Sequence, residues 1–187
     1  MAPKTWTLDP THSEIHFKVK HLMITTVTGS FGNFTATAKT DKDDFSEAAI
    51  SFSADTASVD TGNEQRDIHL KSADFFDAEK FPKLSFVSTG YSRNADGDYK
   101  LTGNLTIKDV TKPMTLDVEF GGVATDPWGN TKAGFTLSGK LNRKDFGLTW
   151  NAVTEAGGVV VSEEVRIAAE IQLVELPVAE EVELAEQ

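Results

Sequence analysis

Apolar and polar residues alternate with a period of two along most of the chain, from residue 5 to residue 175. This period is typical of β-strands that place one face in a core and the other in water. The runs are separated by turn residues such as Asn94, Asp96 and Gly97, which are typical of hairpins. The pattern predicts eight or nine antiparallel strands. Their inward positions are, strand by strand, Trp6 and Leu8; Ile15, Phe17 and Val19; Phe34, Ala36 and Ala38; Ala48, Ile50, Phe52 and Ala54; Leu84 and Phe86; Leu101, Leu105 and Ile107; Met114, Leu116, Val118 and Phe120; Phe135, Leu137 and Leu141; and Val165, Ile167, Ala169, Ile171 and Leu173.

These strands predict an all-β fold that closes into an eight-stranded antiparallel barrel. An open sheet needs a covering layer and protected edges, and the chain offers little helix to supply them. The helical candidate is a short excursion around residues 62–80, in which Asn63 is placed to cap a helix. Four glycines outside the predicted strands are interpreted as isolated turn or bulge glycines rather than as a phosphate-binding loop. They are Gly29, Gly32, Gly121 and Gly122.

The excursion between the fourth and fifth strands is far longer than a hairpin needs, and long connections in compact domains tend to be functional or disordered. Its three phenylalanines, Phe75, Phe76 and Phe81, argue against disorder. Its polar residues Arg66, Asp67 and His69 have three interpretations: they order the excursion through local pairs, they contact the head group of a ligand, or they catalyse a reaction.

Length and charge predict a single barrel domain at residues 1–176 and an acidic, mobile C-terminal tail at 177–187. The formal net charge of −11 disfavours nucleic acid as a partner. The absence of cysteine excludes disulfides, thiolate metal sites and a cysteine nucleophile. The four histidines have no spacing that suits a metal, so we expect no metal site, and a local hydrogen bond is expected for His12.

The start of the chain lacks the basic and apolar regions of a signal peptide, and no apolar run is long enough to span a bilayer. The sequence therefore predicts a soluble, cytoplasmic protein without stable membrane insertion. A periplasmic or secreted protein whose precursor had been trimmed would have the same sequence.

The inward positions are almost free of charge and mix large residues with small ones. An eight-stranded barrel of this kind either fills itself with side chains or holds one small ligand, and the pattern leaves both open. Because a ten-residue strand is about 33 Å long, a lengthwise cavity would suit an extended hydrocarbon.

Five blocks of sequence, in this order, resemble the YceI-like family of polyisoprenoid-binding, lipocalin-like proteins. They are LDPTHSEIHFKVKH (8–21), GSFGNF (29–34), SVDTGNEQRDIHLKSADFFDAEKFPKLSF (58–86), GNLTIKDVTKPMTL (103–116) and NRKDFGL (142–148). The resemblance implies a lipocalin-like barrel that binds, sequesters or transports a long isoprenoid, of the quinone or prenyl phosphate type, in an apolar tunnel. It also implies that the bound isoprenoid is a ligand and that no further cofactor is needed. Many members resemble secreted or periplasmic proteins.

The expected ligand site has three parts. The tunnel wall is Phe17, Val19, Phe34, Phe52, Phe86, Leu105, Ile107, Leu116, Val118, Phe135, Leu137 and Ile167. The tunnel mouths are Phe75, Phe76, Phe81, Phe146 and Trp150. The head-group contacts are Arg66, Asp67, His69 and Arg143, the last of which has a turn pair with Asp145 as its alternative role.

No enzyme activity is expected, but two other functions stay open. One is an enzyme that acts on an isoprenoid or related amphiphile through Asp67 and His69. The other is a protein-interaction module with a filled barrel and no ligand. An exposed aromatic patch at residues 75–81 would also favour a homodimer.

Overall fold

The computed structural model describes residues 3–154 and 157–177. Eleven strands, one helix and three 3-10 turns form this part of the chain. The strands are β1 (Lys4–Leu8), β2 (Glu14–His21), β3 (Thr25–Phe31), β4 (Phe34–Thr40), β5 (Ala49–Asp55), β6 (Val59–Asp60), β7 (Lys83–Arg93), β8 (Tyr99–Ile107), β9 (Val110–Thr125), β10 (Thr131–Asn142) and β11 (Glu164–Glu175). The helix is α1 (Glu64–Lys71), and the 3-10 turns are Pro10–His12, Thr56–Ser58 and Arg143–Phe146.

Eight of the strands close a ring, which confirms the predicted eight-stranded antiparallel barrel. Around the ring the order is β1, β4, β5, β7, β8, β9, β10 and β11, and β11 pairs with β1 to close it. Every pairing is antiparallel. Closure leaves these strands without a free edge, so the barrel needs no covering layer of helices.

The remaining three strands extend the wall at one end of the barrel. β2 pairs with β11 and β3, and β3 pairs with β6. Each of these strands follows or precedes a ring strand after a short break, so β1 with β2, β3 with β4 and β5 with β6 behave as three interrupted strands. Because β6 has only two residues, the extended end stays open on one side, and α1 follows it there.

The sequence analysis placed Gly29 in a turn, and that prediction is wrong. Gly29 lies within β3, directly opposite Phe17 of β2. A Cβ atom on Gly29 would be 2.2 Å from Cζ of Phe17, so the glycine is needed for close approach of the ring. The run TTVTGSF has too few large apolar residues to be recognised as a strand by alternation. By contrast, the bulge predicted at Gly121 and Gly122 is confirmed, because the register between β9 and β10 shifts there.

The helical excursion is confirmed as a helix of eight residues, α1, followed by turns. Asn63 caps it as predicted, since its side chain accepts a hydrogen bond from the backbone N–H of Arg66 at 2.9 Å. No residue of the helix is fully buried, and the half-buried Leu70 packs against the core.

A buried carboxylate fixes the break between β1 and β2. Asp9 accepts hydrogen bonds from Lys132 Nζ at 2.8 Å and from Gln172 Nε2 at 3.1 Å, and its side chain lies 2.9 Å from Nδ1 of His12. The local bond expected for His12 is therefore confirmed. Burial alone would raise the pKa of Asp9, but the hydrogen bonds from Lys132 and His12 outweigh it and hold that pKa well below its ordinary value.

Most of the predicted acidic tail lies outside the described residues. The structure describes the chain as far as Pro177, and residues 178–187 are beyond that point. The division into a barrel domain at 1–176 and a tail at 177–187 therefore stays a prediction.

Candidate functional site: an apolar tunnel inside the barrel

The barrel encloses a cavity of about 570 Å³ whose walls are carbon over most of their area. This volume is within the range of small-molecule binding sites. Eleven of the twelve predicted wall residues line it: Phe17, Val19, Phe52, Phe86, Leu105, Ile107, Leu116, Val118, Phe135, Leu137 and Ile167. The twelfth, Phe34, is not part of the wall and packs on Phe52 with ring centroids 5.9 Å apart. The barrel interior is therefore a tunnel rather than a filled core.

The tunnel exists because large side chains lie over glycines of neighbouring strands. The ring of Phe17 occupies the space in which Gly29 would carry a Cβ, and the ring of Phe86 does the same at Gly103. Each ring thus packs directly against the backbone of the neighbouring strand. A side chain on either glycine would move a ring toward the lumen or force the strands apart.

An aromatic plug closes one end of the tunnel. Phe45, on the loop between β4 and β5, is 1% exposed and reaches into the barrel. Its ring centroid lies 4.9 Å from that of Trp6, 5.7 Å from that of Phe120 and 5.0 Å from that of Phe135. The sequence analysis missed Phe45, since a single phenylalanine in the polar segment KTDKDDFSEA breaks the alternation on which the assignment of core residues depended.

The opposite end is the mouth, where α1 and the segment after β10 meet. Phe75, Phe76 and Trp150 line the tunnel there, as expected. Phe81 and Phe146 do not line it, and Phe146 is buried beneath the 3-10 turn to which it belongs.

The aromatic patch expected on the surface at residues 75–81 is not exposed. Phe75 is 6% exposed, and Phe76 and Phe81 are half-buried. The reason is that these rings complete the wall and the core instead of facing water. The patch therefore gives no support to a homodimer, which stays a prediction without this premise.

His69 is held between aromatic rings at the mouth. Its ring centroid lies 4.6 Å from that of Trp150 and 5.1 Å from that of Phe75, both in edge-to-face geometry. Its Nε2 lies 2.9 Å from a carboxylate oxygen of Asp74. The hydrogen bond that a catalytic pair with Asp67 would need is thus made with a different residue.

Asp67 and Arg66 both order the start of the helix by bonding to Thr61. Asp67 accepts hydrogen bonds from the backbone N–H of Thr61 at 2.9 Å and from its hydroxyl at 2.6 Å. Arg66 donates to the hydroxyl and to the backbone carbonyl of Thr61, both at 2.7 Å. Arg66 lines the mouth, whereas Asp67 faces a shallow surface depression behind the helix. These contacts match the interpretation in which the two residues order the excursion.

Arg143 holds the backbone in place at the mouth through hydrogen bonds. It is 3% exposed, and its guanidinium donates four hydrogen bonds to backbone carbonyls at 2.6 to 3.3 Å, those of Leu148, Trp150, Val161 and Ser162. Burial lowers the pKa of Arg143, while the nearby Glu163 raises it. Only one of the five guanidinium N–H donors is left for a ligand. This role differs from both roles expected for Arg143, the head-group contact and the pair with Asp145. Sequence spacing could not show it, because the acceptors are backbone atoms.

Within residues 3–154 and 157–177, no three histidine or acidic side chains form a cluster that could hold a metal ion. Over the same residues, no helix has the length and apolar composition needed to cross a bilayer.

Comparisons with known proteins agree with this architecture. A UPF0312 protein of Staphylococcus aureus (strain MSSA476) is 39% identical over 165 residues, which cover 88% of this chain and 94% of that protein. The crystal structure of BcnA from Burkholderia cenocepacia superposes with a TM-score of 0.74 and 25% identity, covering 88% of this chain and 98% of that one. A polyisoprenoid binding domain from Saccharophagus degradans superposes with a TM-score of 0.60 over 91% of this chain and 98% of that one. At 14% identity, this last likeness shows a shared fold alone. Residues 6–173 match the family described as "YceI-like domain". The chain therefore belongs to the YceI-like family.

Proposed function

We propose that this protein binds a long apolar amphiphile, of the polyisoprenoid type, in the barrel tunnel and thereby sequesters or transports it. The observation that carries the proposal is the cavity of about 570 Å³ inside the barrel with an almost purely apolar wall. The closed end is sealed by Phe45, so the guest would enter and leave at the mouth near His69 and Trp150. The name given to the Saccharophagus domain of the same fold supplies the chemical class of guest to test first.

The apolar wall is sufficient for useful affinity without a charged anchor. Each buried methylene contributes about 0.8 kcal/mol, so ten of them supply about 8 kcal/mol before the cost of ordering the chain. Each further buried methylene offsets part of that cost, and a net binding free energy of about 8 kcal/mol corresponds to a micromolar dissociation constant. Specificity for one guest must then come from cavity length and from the few polar groups on the wall.

The direct test is mass spectrometry of an organic extract from the protein purified without detergent. We expect a long-chain isoprenoid or a similar lipid at a substantial fraction of the protein's molar amount. The protein should also take up such a lipid after extraction. An empty extract together with no uptake by the stripped protein would refute the proposal.

A matched pair of variants on β11 separates tunnel binding from adhesion to the surface. Ala169 faces the tunnel and is 8% exposed, whereas its neighbour Ala168 is exposed on the outer face. Ala169→Trp should reduce lipid uptake at least tenfold by occupying the lumen, and Ala168→Trp should leave uptake unchanged. Should Ala169→Trp fail to fold, Ala169→Leu is expected to give a smaller loss in the same direction. Equal uptake by the variants at both positions would contradict a guest inside the barrel.

A further inference from the structure

The hairpin between β2 and β3 ends in a turn of exposed apolar residues. Leu22, Met23 and Ile24 are 40%, 57% and 76% exposed. Together with His21 they form the hairpin tip, residues 21–24. A single exposed apolar residue is ordinary on a protein surface, but three in succession at one turn indicate a contact with something apolar.

The backbone of the hairpin tip is strained by its own sequence. Leu22 and Met23 have φ values of 53° and 60°, and the N–H of Ile24 donates to the carbonyl of His21 at 3.1 Å. Asn and Gly normally occupy the two central positions of such a turn, because large side chains adopt positive φ at a cost in stability. Backbone outliers of this kind cluster at functional sites. Two bulky apolar residues thus hold positions at which polar or small residues would be more stable in water.

The hairpin tip lies beside the mouth of the tunnel. Lys20 and His21, which lead into the turn, both line the cavity. The N–H of Leu22 donates to the carbonyl of Val160 at 2.9 Å, and His21 pairs with Val161. Both valines belong to the segment after β10 that forms the mouth, and both line the cavity. Whatever the hairpin tip touches is therefore adjacent to the tunnel opening.

The hairpin is basic, although the whole protein is acidic. No aspartate or glutamate occurs between Glu14 and Asp41, while the formal net charge of the chain is −11. Lys18 and Lys20 are exposed on β2, and neither forms an ion pair with an acidic side chain within residues 3–154 and 157–177. Glu164, on the neighbouring strand β11, is already paired with two other basic side chains at 3.5 and 3.6 Å. The hairpin therefore presents positive charge that suits an anionic surface.

Size and composition favour a lipid bilayer over a protein as the occupant. Three side chains on one turn cover far less than the area of about 800 Å² per partner that a stable protein interface buries. Apolar side chains flanked by lysines instead match the boundary between head groups and acyl chains, where the apolar groups leave water and the cations stay among phosphates. A bilayer with anionic lipid therefore accommodates both the apolar and the basic part of the hairpin.

We propose that the hairpin tip docks reversibly on a bilayer that contains anionic lipid, so that the guest passes directly between the bilayer and the tunnel mouth. The inference rests on the proposed function and adds to it the surface from which the guest is taken or to which it is delivered. In the docked state Leu22, Met23 and Ile24 lie among the upper acyl chains, and Lys18 and Lys20 lie at the level of the phosphates. The apolar chain of the guest then avoids passage through water.

The test uses a variant that removes the apolar side chains of the turn without weakening the fold. In the double variant Leu22→Asn, Met23→Gly, the turn receives residues that suit its positive φ, so the unfolding midpoint should equal or exceed that of the wild type. A fall in the midpoint would count against the strained turn on which the inference depends. The control is Trp128→Ser, which removes an 81% exposed side chain from the turn between β9 and β10, at the opposite end of the barrel.

Bilayer binding is measured by flotation of the stripped protein with vesicles of phosphatidylcholine, with and without phosphatidylglycerol. We expect the wild type to float with the vesicles that contain phosphatidylglycerol and to be released by salt. The double variant should bind at least about tenfold more weakly, since an apolar side chain that leaves water contributes roughly that factor, and Trp128→Ser should bind as the wild type does. No flotation of the wild type, or equal flotation of the double variant, would overturn the inference. Self-association through the hairpin tip in place of vesicle binding would make it an interface with a second copy and would also overturn the inference.

The rate at which a fluorescently labelled prenyl alcohol moves from vesicles to the protein separates this inference from the proposed function. Transfer during contact becomes faster as the vesicle concentration rises, whereas transfer through water does not. We expect the wild-type rate to rise with vesicle concentration and the rate of the double variant to be about tenfold lower, with an unchanged affinity for the same alcohol supplied without vesicles. A rate independent of vesicle concentration would overturn the inference and leave the proposed function intact. If the wild type takes up the alcohol from neither source, it is the proposed function itself that fails.

Discussion

Gly103 offers a sharp test of how the tunnel is built, because it has no room for even one methyl group. It lies on β8, and its backbone does not have a positive φ, so alanine could adopt the same conformation. A Cβ atom at this position would nevertheless be 2.4 Å from Cζ of Phe86 and 2.5 Å from the backbone oxygen of Val87. The ring could rotate, but the carbonyl belongs to the paired strand β7 and cannot move without disturbing the ladder.

The expected cost follows from these contacts. Overpacking a well-packed interior costs about 1–3 kcal/mol. In a domain of this size, about 2 kcal/mol lowers the melting temperature by about 4–8 °C. We therefore expect Gly103→Ala to melt several degrees below the wild type and to bind guests more weakly, since Phe86 is displaced into the lumen.

Gly134→Ala is the matched control for this substitution. Gly134 is also a strand glycine without positive φ, and a Cβ there would meet nothing within 4 Å. Restricting the unfolded chain then stabilises the protein by about 0.4–1 kcal/mol. The two variants are compared by thermal unfolding followed with circular dichroism. If Gly103→Ala is as stable as Gly134→Ala, the close approach of Phe86 to β8 does not exist in solution.

Three further predictions concern the polar groups of the barrel. Because hydrogen bonds hold the pKa of Asp9 low, its stabilising effect is present above the ordinary value of 3.8 and is lost as the pH falls below it. Asp9→Asn should therefore lower the urea midpoint at neutral pH and flatten the dependence of that midpoint on acid pH. Parallel pH profiles for the wild type and the variant would contradict this. Arg143→Met should lower the free energy of unfolding by about 3 kcal/mol or more in a denaturant titration, since it leaves several buried carbonyls unpaired. The control Lys144→Met breaks only an exposed ion pair and should cost about 1 kcal/mol or less in the same titration. The double variant Asp67→Asn, His69→Phe should retain bound lipid within about twofold of the wild type by mass spectrometry, since His69→Phe keeps the aromatic packing at the mouth. If the double variant instead loses a measured turnover while it retains lipid, the enzymatic alternative is favoured.

The sequence was sufficient to predict the strands in which apolar and polar residues alternate. Long runs such as 114–120 and 165–173 have apolar residues at every second position, and each lies within a strand of the barrel. The strand β3 was missed for the opposite reason, since Val27, Gly29 and Phe31 are its inward residues and the middle one has no side chain. A glycine that is required by the size of its cross-strand partner looks like a turn glycine until the partner is known.

The site was predictable on the wall and less so at its ends. Wall residues follow from the same period that builds the strands, so eleven of the twelve were identified. Phe45 and the hydrogen-bonding role of Arg143 were missed because they depend on the path of loops and on backbone carbonyls, neither of which leaves a pattern along the chain. Tyr91, on β7, also lines the tunnel. It was overlooked for a related reason: the bulge in β7 at Ser88–Gly90 changes the phase of alternation just before it.

The distribution of large and small residues also explains why twelve phenylalanines do not fill the barrel. A Cβ on the adjoining strand keeps a large side chain further from that strand than a glycine does. Phe17 and Phe86 each meet a glycine on the next strand, and both rings contribute apolar area to the tunnel wall. Phe45 has no such glycine and comes from a loop rather than a strand, and its ring does cross the barrel interior. The contrast indicates that a glycine opposite an aromatic residue lets the ring pack closely against the wall, whereas Phe45, which has none, packs among other rings at the closed end.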